Sequence, residues 1–201
     1  EQNRFRQEWG ATERFTLAYS GNLGRVHEFE TLAGAAERLR GDSIQFLIIG
    51  GGPRLEELRS RLGAANLLDQ VRFLPYQSRD DLAASLGAAD VHLISLRRGL
   101  EGFVVPSKFY GVLAAGRPSI YIGSPEADLA RLIEQHECGV VVRQGDAEAL
   151  ARVIRELRDD PARVRAMGDR ARRAFEGRFT LRHAAEAWRA VLMDDSLPRQ
   201  C

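Results

Sequence analysis

The one lysine of the sequence stands in a segment whose residues predict an anion site. The chain contains 28 arginines and a single lysine, Lys108. Before it, Gly102 allows backbone conformations closed to other residues, and Pro106 fits the first position of a helix that runs to about Ala115. The free N–H groups and positive dipole end of such a helix favour an anion, and a cation there is unfavourable unless an anion lies between them. The segment therefore predicts a loop and helix that hold a phosphate group beside Lys108, an interpretation that we favour over a lysine placed there by chance.

A second cation, Arg25, ends the glycine turn that follows the first predicted strand. The turn spans Gly21 to Arg25, and we predict that a helix starts there. Two cations and two helix starts that face one crevice would suit a diphosphate with a charge of about −2. The alternative is that Arg25 is exposed and pairs with Glu28, and the residues do not decide between the two.

A carboxylate, Glu101, stands directly before the glycine of the central segment. It either pairs with Arg97 or Arg98, or it lies at the rim of a cleft and accepts hydrogen bonds from sugar hydroxyls. We favour the second interpretation.

The segment Gly50 to Gly52 is either only a tight turn, which we favour, or part of the ligand contact.

The histidines offer no metal site. His27 lies beside the first glycine turn and is interpreted as an exposed side chain, whereas His92 falls in a predicted strand and His136 and His183 on predicted helices. Their spacing matches no set of metal ligands, and no Asp-x-Asp element is present. The sequence therefore predicts neither a bound metal nor a cofactor.

The composition narrows the class of protein. With 201 residues, of which 44% are hydrophobic, the chain can bury one good core. Its formal charge of +1 gives no support for nucleic acid as the main partner. Two cysteines, Cys138 and Cys201, form no disulfide framework, and no apolar run approaches the roughly 20 residues that cross a bilayer. We expect a cytoplasmic protein.

Strands and helices alternate six times along the chain. Short apolar runs, each ended by a turn and followed by leucines and alanines at helical spacing, are typical of parallel strands connected by helices. The predicted strands are residues 15–19, 44–49, 71–74, 91–95, 119–122 and 139–142. Ser78 is predicted to cap the helix after the third strand. This pattern predicts an α/β fold, a Rossmann-like open six-stranded parallel sheet with helices on both faces.

The two ends of the chain differ from this pattern. Residues 1–13 are polar and lack periodicity, so we predict a linker there, followed by a Rossmann-like domain at residues 14–180. After the sheet the chain is helical, and residues 181–201 are predicted to form a C-terminal helix and tail. Eight arginines between Arg158 and Arg182 could contact anionic lipid headgroups at the inner face of the cell membrane, but we favour a solvated helix face because four acids are interleaved.

Six motifs, in this order and spacing, resemble the C-terminal, nucleotide-sugar-binding half of retaining GT-B glycosyltransferases of the large family 4 (group 1 type). The resemblance covers about Phe15 to Leu192. The motifs are Tyr19-Ser-Gly-Asn-Leu-Gly-Arg, Ile48-Ile-Gly-Gly-Gly-Pro, Val71-Arg-Phe-Leu-Pro-Tyr, Ala89-Asp-Val-His-Leu-Ile-Ser, Glu101-Gly-Phe and Leu113-Ala-Ala-Gly-Arg-Pro. The segment Pro106-Ser-Lys-Phe-Tyr-Gly resembles a branch that builds bacterial surface polysaccharides.

The resemblance implies a role for each predicted site residue. The Gly21 to Arg25 loop and Lys108 would hold the donor diphosphate, Glu101 and the following backbone the sugar, and Tyr76 the base. Lys108 and Arg25 would stabilise the charge that develops on the leaving phosphate during front-face, metal-independent transfer. The implied catalytic residues are Arg25, Lys108 and Glu101, and the implied nucleotide-sugar-binding residues are Gly21, Asn22, Gly24, Gly51, Gly52, Tyr76, Gly102, Phe103, Val104, Pro106 and Ser107.

The sequence departs from the family pattern at two places. Many members carry a second glutamate that binds the ribose, but the corresponding position is Phe109 or Gly111, depending on which motif is aligned. The usual lysine of the first loop is also absent, which leaves Arg25 or His27 to replace it.

The resemblance implies transfer of a hexosyl group from a nucleotide sugar, expected to be a UDP-sugar, to a polysaccharide or lipid-linked acceptor. GT-B enzymes need an N-terminal acceptor domain, so we expect this chain to be a donor domain that is inactive alone. Residues 1–13 would then be the interdomain linker, residues 14–180 the nucleotide-sugar donor-binding domain, and the last helix would return to the missing domain. The alternatives are half of a sugar-nucleotide epimerase and a non-catalytic nucleotide-binding module.

Overall fold

The computed structural model describes residues 3–101, 103–104 and 107–193, and its centre is one parallel sheet. The six strands pair in the order β3-β2-β1-β4-β5-β6, and every neighbouring pair is parallel. The strands are β1 (Phe15–Asn22), β2 (Ile44–Gly51), β3 (Val71–Leu74), β4 (Val91–Ser95), β5 (Ser119–Gly123) and β6 (Gly139–Arg143). The predicted Rossmann-like sheet is confirmed, and four of the strands extend one to three residues further at their carboxyl ends than the apolar runs indicated.

The helices connect the strands and continue after the sheet. In the described part of the chain they are α1 (Arg4–Glu8), α2 (Glu30–Arg38), α3 (Leu55–Ala64), α4 (Leu82–Gly87), α5 (Lys108–Ala114), α6 (Asp128–Gln135), α7 (Ala147–Asp159), α8 (Pro161–Arg178) and α9 (Leu181–Leu192), with a 3₁₀ turn at Leu68–Gln70.

Both faces of the sheet are covered, as the continuous apolar strands require. Successive side chains of a strand point to opposite faces. In β1, Leu17 and Tyr19 belong to the cluster formed with α2, α3 and α7, whereas Ala18 belongs to the cluster beneath α1 and α4. Ile94 and Tyr121 pack with α5, α6 and α8.

The order of strands places a crevice between β1 and β4. The connections run outward in one direction from β1 to β3 and in the other direction from β4 to β6. Where the direction reverses, the loops after the two central strands separate and leave room for a ligand at their carboxyl ends. The loops after β1 and β4 are the two that carry the predicted phosphate-binding residues.

Two helix starts differ from their predicted positions. The helix after the first loop begins at Glu30 rather than at Arg25, because five residues of turn precede it. Ser78 does not cap α4 directly: its Oγ accepts the Asp81 N–H at 3.1 Å in a turn, and the helix begins at Leu82. Helix α5 begins at Lys108, and Pro106, where its start was predicted, lies outside the described residues.

The predicted linker contains a short helix that packs on the sheet domain. Asn3 caps α1 by accepting the N–H groups of Phe5 and Arg6 at 3.0 and 3.3 Å. Phe5 and Trp9 are buried against α4 and β2. Five helical residues are too few to produce a recognisable period, so the pattern indicated no structure there. The role of residues 1–13 as a linker stays a prediction.

The helical end of the chain has the predicted caps. Asp146 accepts the Ala149 N–H at 2.8 Å, Pro161 is the first residue of α8, and Thr180 accepts the His183 N–H at 3.4 Å. Helix α9 buries none of its residues. No helix among the described residues is long and apolar enough to cross a membrane.

Candidate functional site

A pocket of about 450 Å³ lies in the crevice at the carboxyl ends of β1, β2 and β4. This volume is within the usual range for small-molecule sites. Of the residues predicted from the sequence, the lining includes Gly21, Asn22, Tyr76, Val104, Ser107 and Lys108. The other lining residues are Ser20, His27, Ile49, Gln77, Leu82, Ser85, Leu86 and Gly111. We call this cavity the Lys108 pocket.

Lys108 lies across the end of β1 and is held by neutral groups. Its Nζ donates to the Tyr19 hydroxyl at 2.5 Å and lies 4.0 Å from the centroid of the same ring. The Tyr19 hydroxyl in turn donates to the Asn22 carbonyl at 2.8 Å, which fixes its lone pairs towards the lysine. A Cβ on Gly21 would lie 3.6 Å from Nζ, so the lysine rests on the backbone of the first loop.

The charge of Lys108 has no carboxylate partner within the described residues. Burial lowers the pKa of Lys108 from 10.5 to about 8, and no acidic group opposes that shift. A half-buried cation without a counter-ion is costly, and an anion placed beside it removes the cost. Since the lining residues include no Asp or Glu, the pocket is suited to an anionic ligand.

His27 is part of the site, and its interpretation as an exposed side chain is wrong. It is 8% exposed and lines the pocket. Its Nδ1 lies 2.7 Å from the Ser95 carbonyl, which can only accept, so Nδ1 carries the proton. Nε2 is then free to accept from Lys108 Nζ, 3.5 Å away. Burial, followed by the charge of Lys108, lowers the pKa of His27, so the ring is neutral beside the lysine.

The glycines at the carboxyl end of β2 and just after it allow close contacts rather than merely a turn. A Cβ on Gly50 would lie 2.3 Å from the Gly21 carbonyl oxygen, and one on Gly52 2.4 Å from Asn22 Oδ1. Both have φ near +130°, where side chains are rarely tolerated. Gly51 and Gly52 are not among the residues that line the pocket. Gly50 and Gly52 allow the carboxyl ends of β1 and β2 to lie close together.

The far end of the pocket combines an exposed ring with an unsatisfied hydroxyl. The Tyr76 side chain packs on Gly50 and Gly51, yet the residue is 60% exposed. Ser85, which is fully buried, lines the same end, and its Oγ has no hydrogen-bond partner among the described residues. An aromatic face and a free hydroxyl can stack on and hydrogen-bond to a planar polar group. Ser85 could not be recognised from the sequence, because a serine on a helix usually faces solvent.

The two positions that correspond to the family's second glutamate lie in different surroundings. Gly111 lines the pocket, whereas Phe109 is buried in the core at 1% exposure. Of the two alignments, the one on Ala-Ala-Gly therefore puts the substituted residue at the pocket. Ser107, one helical turn before Gly111, offers a hydroxyl that caps no helix N–H.

Glu101 lies outside the Lys108 pocket. Its Oε2 accepts the Gly99 N–H at 2.6 Å, and its Oε1 is buried without a hydrogen-bond partner among the described residues. It lines a separate cavity of about 210 Å³ with Tyr121, whose pKa is raised to about 12 by burial and by the charge of Glu101. No ion pair joins Glu101 to Arg97 or Arg98 in the described chain. Val104 lines both cavities.

The remaining predicted residues lie at the edge of the site or beyond it. Arg25 is exposed in the turn before α2, does not line the pocket and forms no ion pair with Glu28 in the part of the chain described. The geometric reason for its assignment, a helix start, is therefore wrong. Gly24 is in the same turn, and Phe103 is 86% exposed. Gly102 and Pro106 lie outside the described residues.

No group of three or more His, Cys, Asp or Glu side chains in residues 3–101, 103–104 and 107–193 could hold a metal ion.

A comparison with protein families decides the class of this chain. The family described as glycosyl transferases group 1 matches residues 1–174. The chain belongs to this family. Among curated relatives, it is 35% identical over 144 residues to WcaI of Escherichia coli, which is named as a glycosyl transferase of colanic acid biosynthesis. It is 31% identical over 153 residues to WbjE of Pseudomonas aeruginosa, which is named as a glycosyltransferase. These alignments cover 70% and 75% of this group 1 chain, but only 34% and 37% of the relatives.

Solved structures place the group 1 chain in one half of the GT-B fold. HepE of Anabaena, solved with UDP-glucose, superposes with a TM-score of 0.80 at 16% identity over 94% of this chain and 51% of that chain. The C-terminal domain of a group 1 protein from Francisella tularensis superposes at 0.72 and 15% identity, over 90% of this chain and 94% of that domain. The chain therefore has the fold of a GT-B C-terminal domain and spans about a third to a half of the length of the first relatives.

Proposed function

We propose that this chain is the donor-binding domain of a retaining, metal-independent glycosyltransferase that transfers a hexosyl group from a nucleotide sugar. The observation that carries the proposal is Lys108, a half-buried cation without a carboxylate partner at the crevice of a group 1 domain. The diphosphate of the donor would lie between Nζ and the loop after β1. There it would provide the negative charge that the surrounding protein does not.

The proposed orientation of the donor follows from the two ends of the pocket. The base would stack on Tyr76 and reach the Ser85 hydroxyl, and the ribose would lie near Ser107 and Gly111. We propose a UDP-sugar, as in the HepE complex with UDP-glucose. The sugar would then extend towards Phe103 and Glu101, as the family resemblance implies.

In this proposal Lys108 has the main electrostatic role. When the bond from sugar to phosphate breaks, negative charge grows on the leaving diphosphate, and a cation fixed beside it stabilises that charge more than it stabilises the bound donor. His27 and Tyr19 hold the ammonium group in place, so little reorganisation is needed. The catalytic role of Arg25 stays a prediction that requires its turn to move towards the pocket.

The acceptor side of the reaction requires a second domain. Helix α9 exposes Leu181, Trp188 and Leu192 to 87%, 65% and 77%, an apolar surface that is unusual on an isolated domain. We propose that it packs on the acceptor domain, and that the acceptor is a polysaccharide or lipid-linked sugar. The chain alone should bind the donor weakly and transfer no sugar.

Neither alternative gains an observation of its own. An epimerase needs acid and base groups in the crevice, but no carboxylate is among the residues that line the Lys108 pocket, and Glu101 lies in another cavity. A non-catalytic module predicts no nucleotide affinity, or an affinity that does not change when Lys108 is replaced.

The test is calorimetric binding of UDP, GDP, dTDP and ADP to the 201-residue chain in the presence of a chelator. We expect one nucleotide, UDP, to bind best and Lys108→Ala to weaken it by at least about tenfold, since a charge-assisted contact is lost. The matched control is Arg152→Ala, which removes one positive charge from the exposed surface of α7. Equal binding of wild type and Lys108→Ala would contradict the proposal, as would a requirement for metal. Sugar transfer by the chain alone would contradict its assignment as a donor domain.

A further inference from the structure

A second, larger cavity opens at the opposite end of the sheet. It measures about 630 Å³ and lies where β1 and β5 begin, beside the first turns of α8. Phe15, Pro118 and Val164 provide an apolar part of its wall. Five arginines line it, and we call it the rear pocket: Arg6, Arg14, Arg117, Arg158 and Arg165.

Two of these arginines are neutralised by carboxylates. Arg6 pairs with Asp90 at 2.8 Å, and the other oxygen of Asp90 accepts the Thr16 N–H at 2.8 Å. Arg158 pairs with Asp42 at 2.7 Å and with Asp159 at 2.8 Å. These contacts satisfy both guanidinium groups, so neither needs a ligand.

The other three arginines form no ion pair within the described residues. Arg117 is half-buried and donates to the Gly87 carbonyl at 2.6 Å, which fixes its position but does not neutralise it. Burial lowers the pKa of Arg117, the charge of Asp90 opposes that shift, and the charge of Arg6 adds to it. The net shift is downward, so the nearby negative charge does not fully balance this guanidinium group. Arg14 and Arg165 are exposed at the rim.

The wall also holds two carboxylates that form no ion pair in the described chain, Glu13 and Asp169. They reduce the positive charge but do not cancel it, because three unpaired guanidinium groups face them. A guanidinium fork matches the oxygens of a phosphate, and a cavity of this size admits an organic group attached to one.

We propose that the rear pocket binds the phosphate group of a second ligand, a phosphate ester or diphosphate, held by Arg117, Arg165 and Arg14. The inference does not depend on the donor-binding proposal, since the two pockets lie at opposite ends of the parallel strands. The ligand would rest its organic part on Phe15 and Pro118.

The test uses inorganic pyrophosphate and the full chain carrying Lys108→Gln, so that the front of the sheet does not contribute. Binding is measured by calorimetry and by the arginine side-chain N–H signals in NMR spectra. We expect saturable binding that Arg117→Gln or Arg165→Gln weakens by about tenfold, through loss of a charge-assisted contact. Asp169→Asn should tighten it by about twofold, since a repelling carboxylate is removed.

The matched control is Arg163→Gln. It changes the charge of the same helix by the same amount, but Arg163 does not line the pocket and pairs with Glu156 at 3.6 Å. Vesicles of phosphatidylcholine with and without phosphatidic acid test whether a lipid headgroup supplies the phosphate. Binding of pyrophosphate or of phosphatidic acid vesicles that depends on Arg165 supports the site. Absence of both, or equal effects of Arg163→Gln and Arg165→Gln, overturns it.

Discussion

The cations at the two ends of the sheet differ in whether they have acidic partners. At the carboxyl ends of the strands, Lys108 has two neutral acceptors and no carboxylate in the described chain. At the amino ends, Arg6 and Arg158 have acidic partners, and only some of the arginines remain unpaired. A cation that the fold leaves uncompensated lowers stability and favours an anionic ligand, whereas a paired cation contributes to the fold. In our proposal the Lys108 pocket therefore favours binding at the expense of stability, whereas the paired arginines of the rear pocket contribute to the fold.

The largest expected effect concerns how closely the backbones approach at each end. In Gly50→Ala the new Cβ would lie 2.3 Å from the Gly21 carbonyl oxygen at φ +130°, so the paired carboxyl ends of β1 and β2 must separate. We expect a loss of about 3 kcal/mol or more in the free energy of unfolding, measured by urea denaturation. Gly116→Ala, beside the rear pocket, is the counterpart: its Cβ would meet Arg172 Cβ at 3.6 Å, and only φ +63° is unfavourable. It should cost roughly 1 kcal/mol, and equal losses would show that the front loops are not tightly packed.

The next effect tests the paired cation at the rear. Asp90→Ala removes the ion pair with Arg6 and the acceptor for the Thr16 N–H, both at 2.8 Å and both largely buried. The unfolding free energy should fall by about 2–3 kcal/mol, because a guanidinium and an N–H lose their partner. Asp128→Ala is the control, since its pair with Arg131 is exposed and should contribute less than about 0.5 kcal/mol. A small loss for Asp90→Ala would contradict a structural role for the rear pair.

In the Lys108 pocket, removal of the cation should raise the free energy of unfolding rather than lower it. Lys108→Met should raise the unfolding free energy at pH 7 by roughly 2 kcal/mol, since the pKa of Lys108 falls from 10.5 to about 8 on folding. A lowered lysine pKa means that the unfolded chain binds the proton more tightly. The wild type therefore gains stability as pH rises from about 8 towards 10.5, and the difference from Lys108→Met should shrink over that window. A variant that is less stable than wild type at pH 7 would show that Lys108 is compensated after all.

The smallest effect is the pH dependence of donor binding. The diphosphate of a nucleotide sugar does not titrate near pH 8, so a change in affinity there reports the protein. UDP-glucose binding should weaken by about tenfold between pH 7 and pH 9, as the pKa of Lys108, about 8, is crossed and the cation is lost. Lys108→Arg, whose guanidinium stays charged, should show a flat profile. A wild-type profile that is also flat would remove Lys108 from the diphosphate contact.

Most of the fold could be predicted because it depends on local patterns. The six apolar runs are long enough to be recognised, and each is ended by glycine, proline or a cap, so the alternation of strand and helix follows from the sequence. Helix α1 was missed because five residues show no period. The start of α2 was misplaced because a turn of five residues, with no proline or typical cap, gives no signal of its length.

The candidate site was predicted in part. Lys108, Tyr76, Gly21 and Asn22 were predicted to line one cleft because they stand next to the ends of apolar runs, and all four line the Lys108 pocket. Tyr19 and Ser85 were not predicted, and His27 was considered only as a replacement for the missing loop lysine. The positions of Tyr19 and His27 depend on contacts with residues far along the chain, such as Lys108 and Ser95. Glu101 was expected to share the cleft, but its side chain lies in a neighbouring cavity.

By itself the sequence determined that this chain forms a parallel α/β sheet, because hydrophobic period and glycine turns are local properties, and its lone lysine predicted an anion site near Lys108. Only the tertiary structure decided which groups surround that lysine. Charge compensation depends on distances between segments that are far apart in the chain, and so does burial. The surroundings of Lys108 and the tautomer of His27 depend on contacts with Tyr19 and Ser95, and the rear arginines come together from separate segments of the chain.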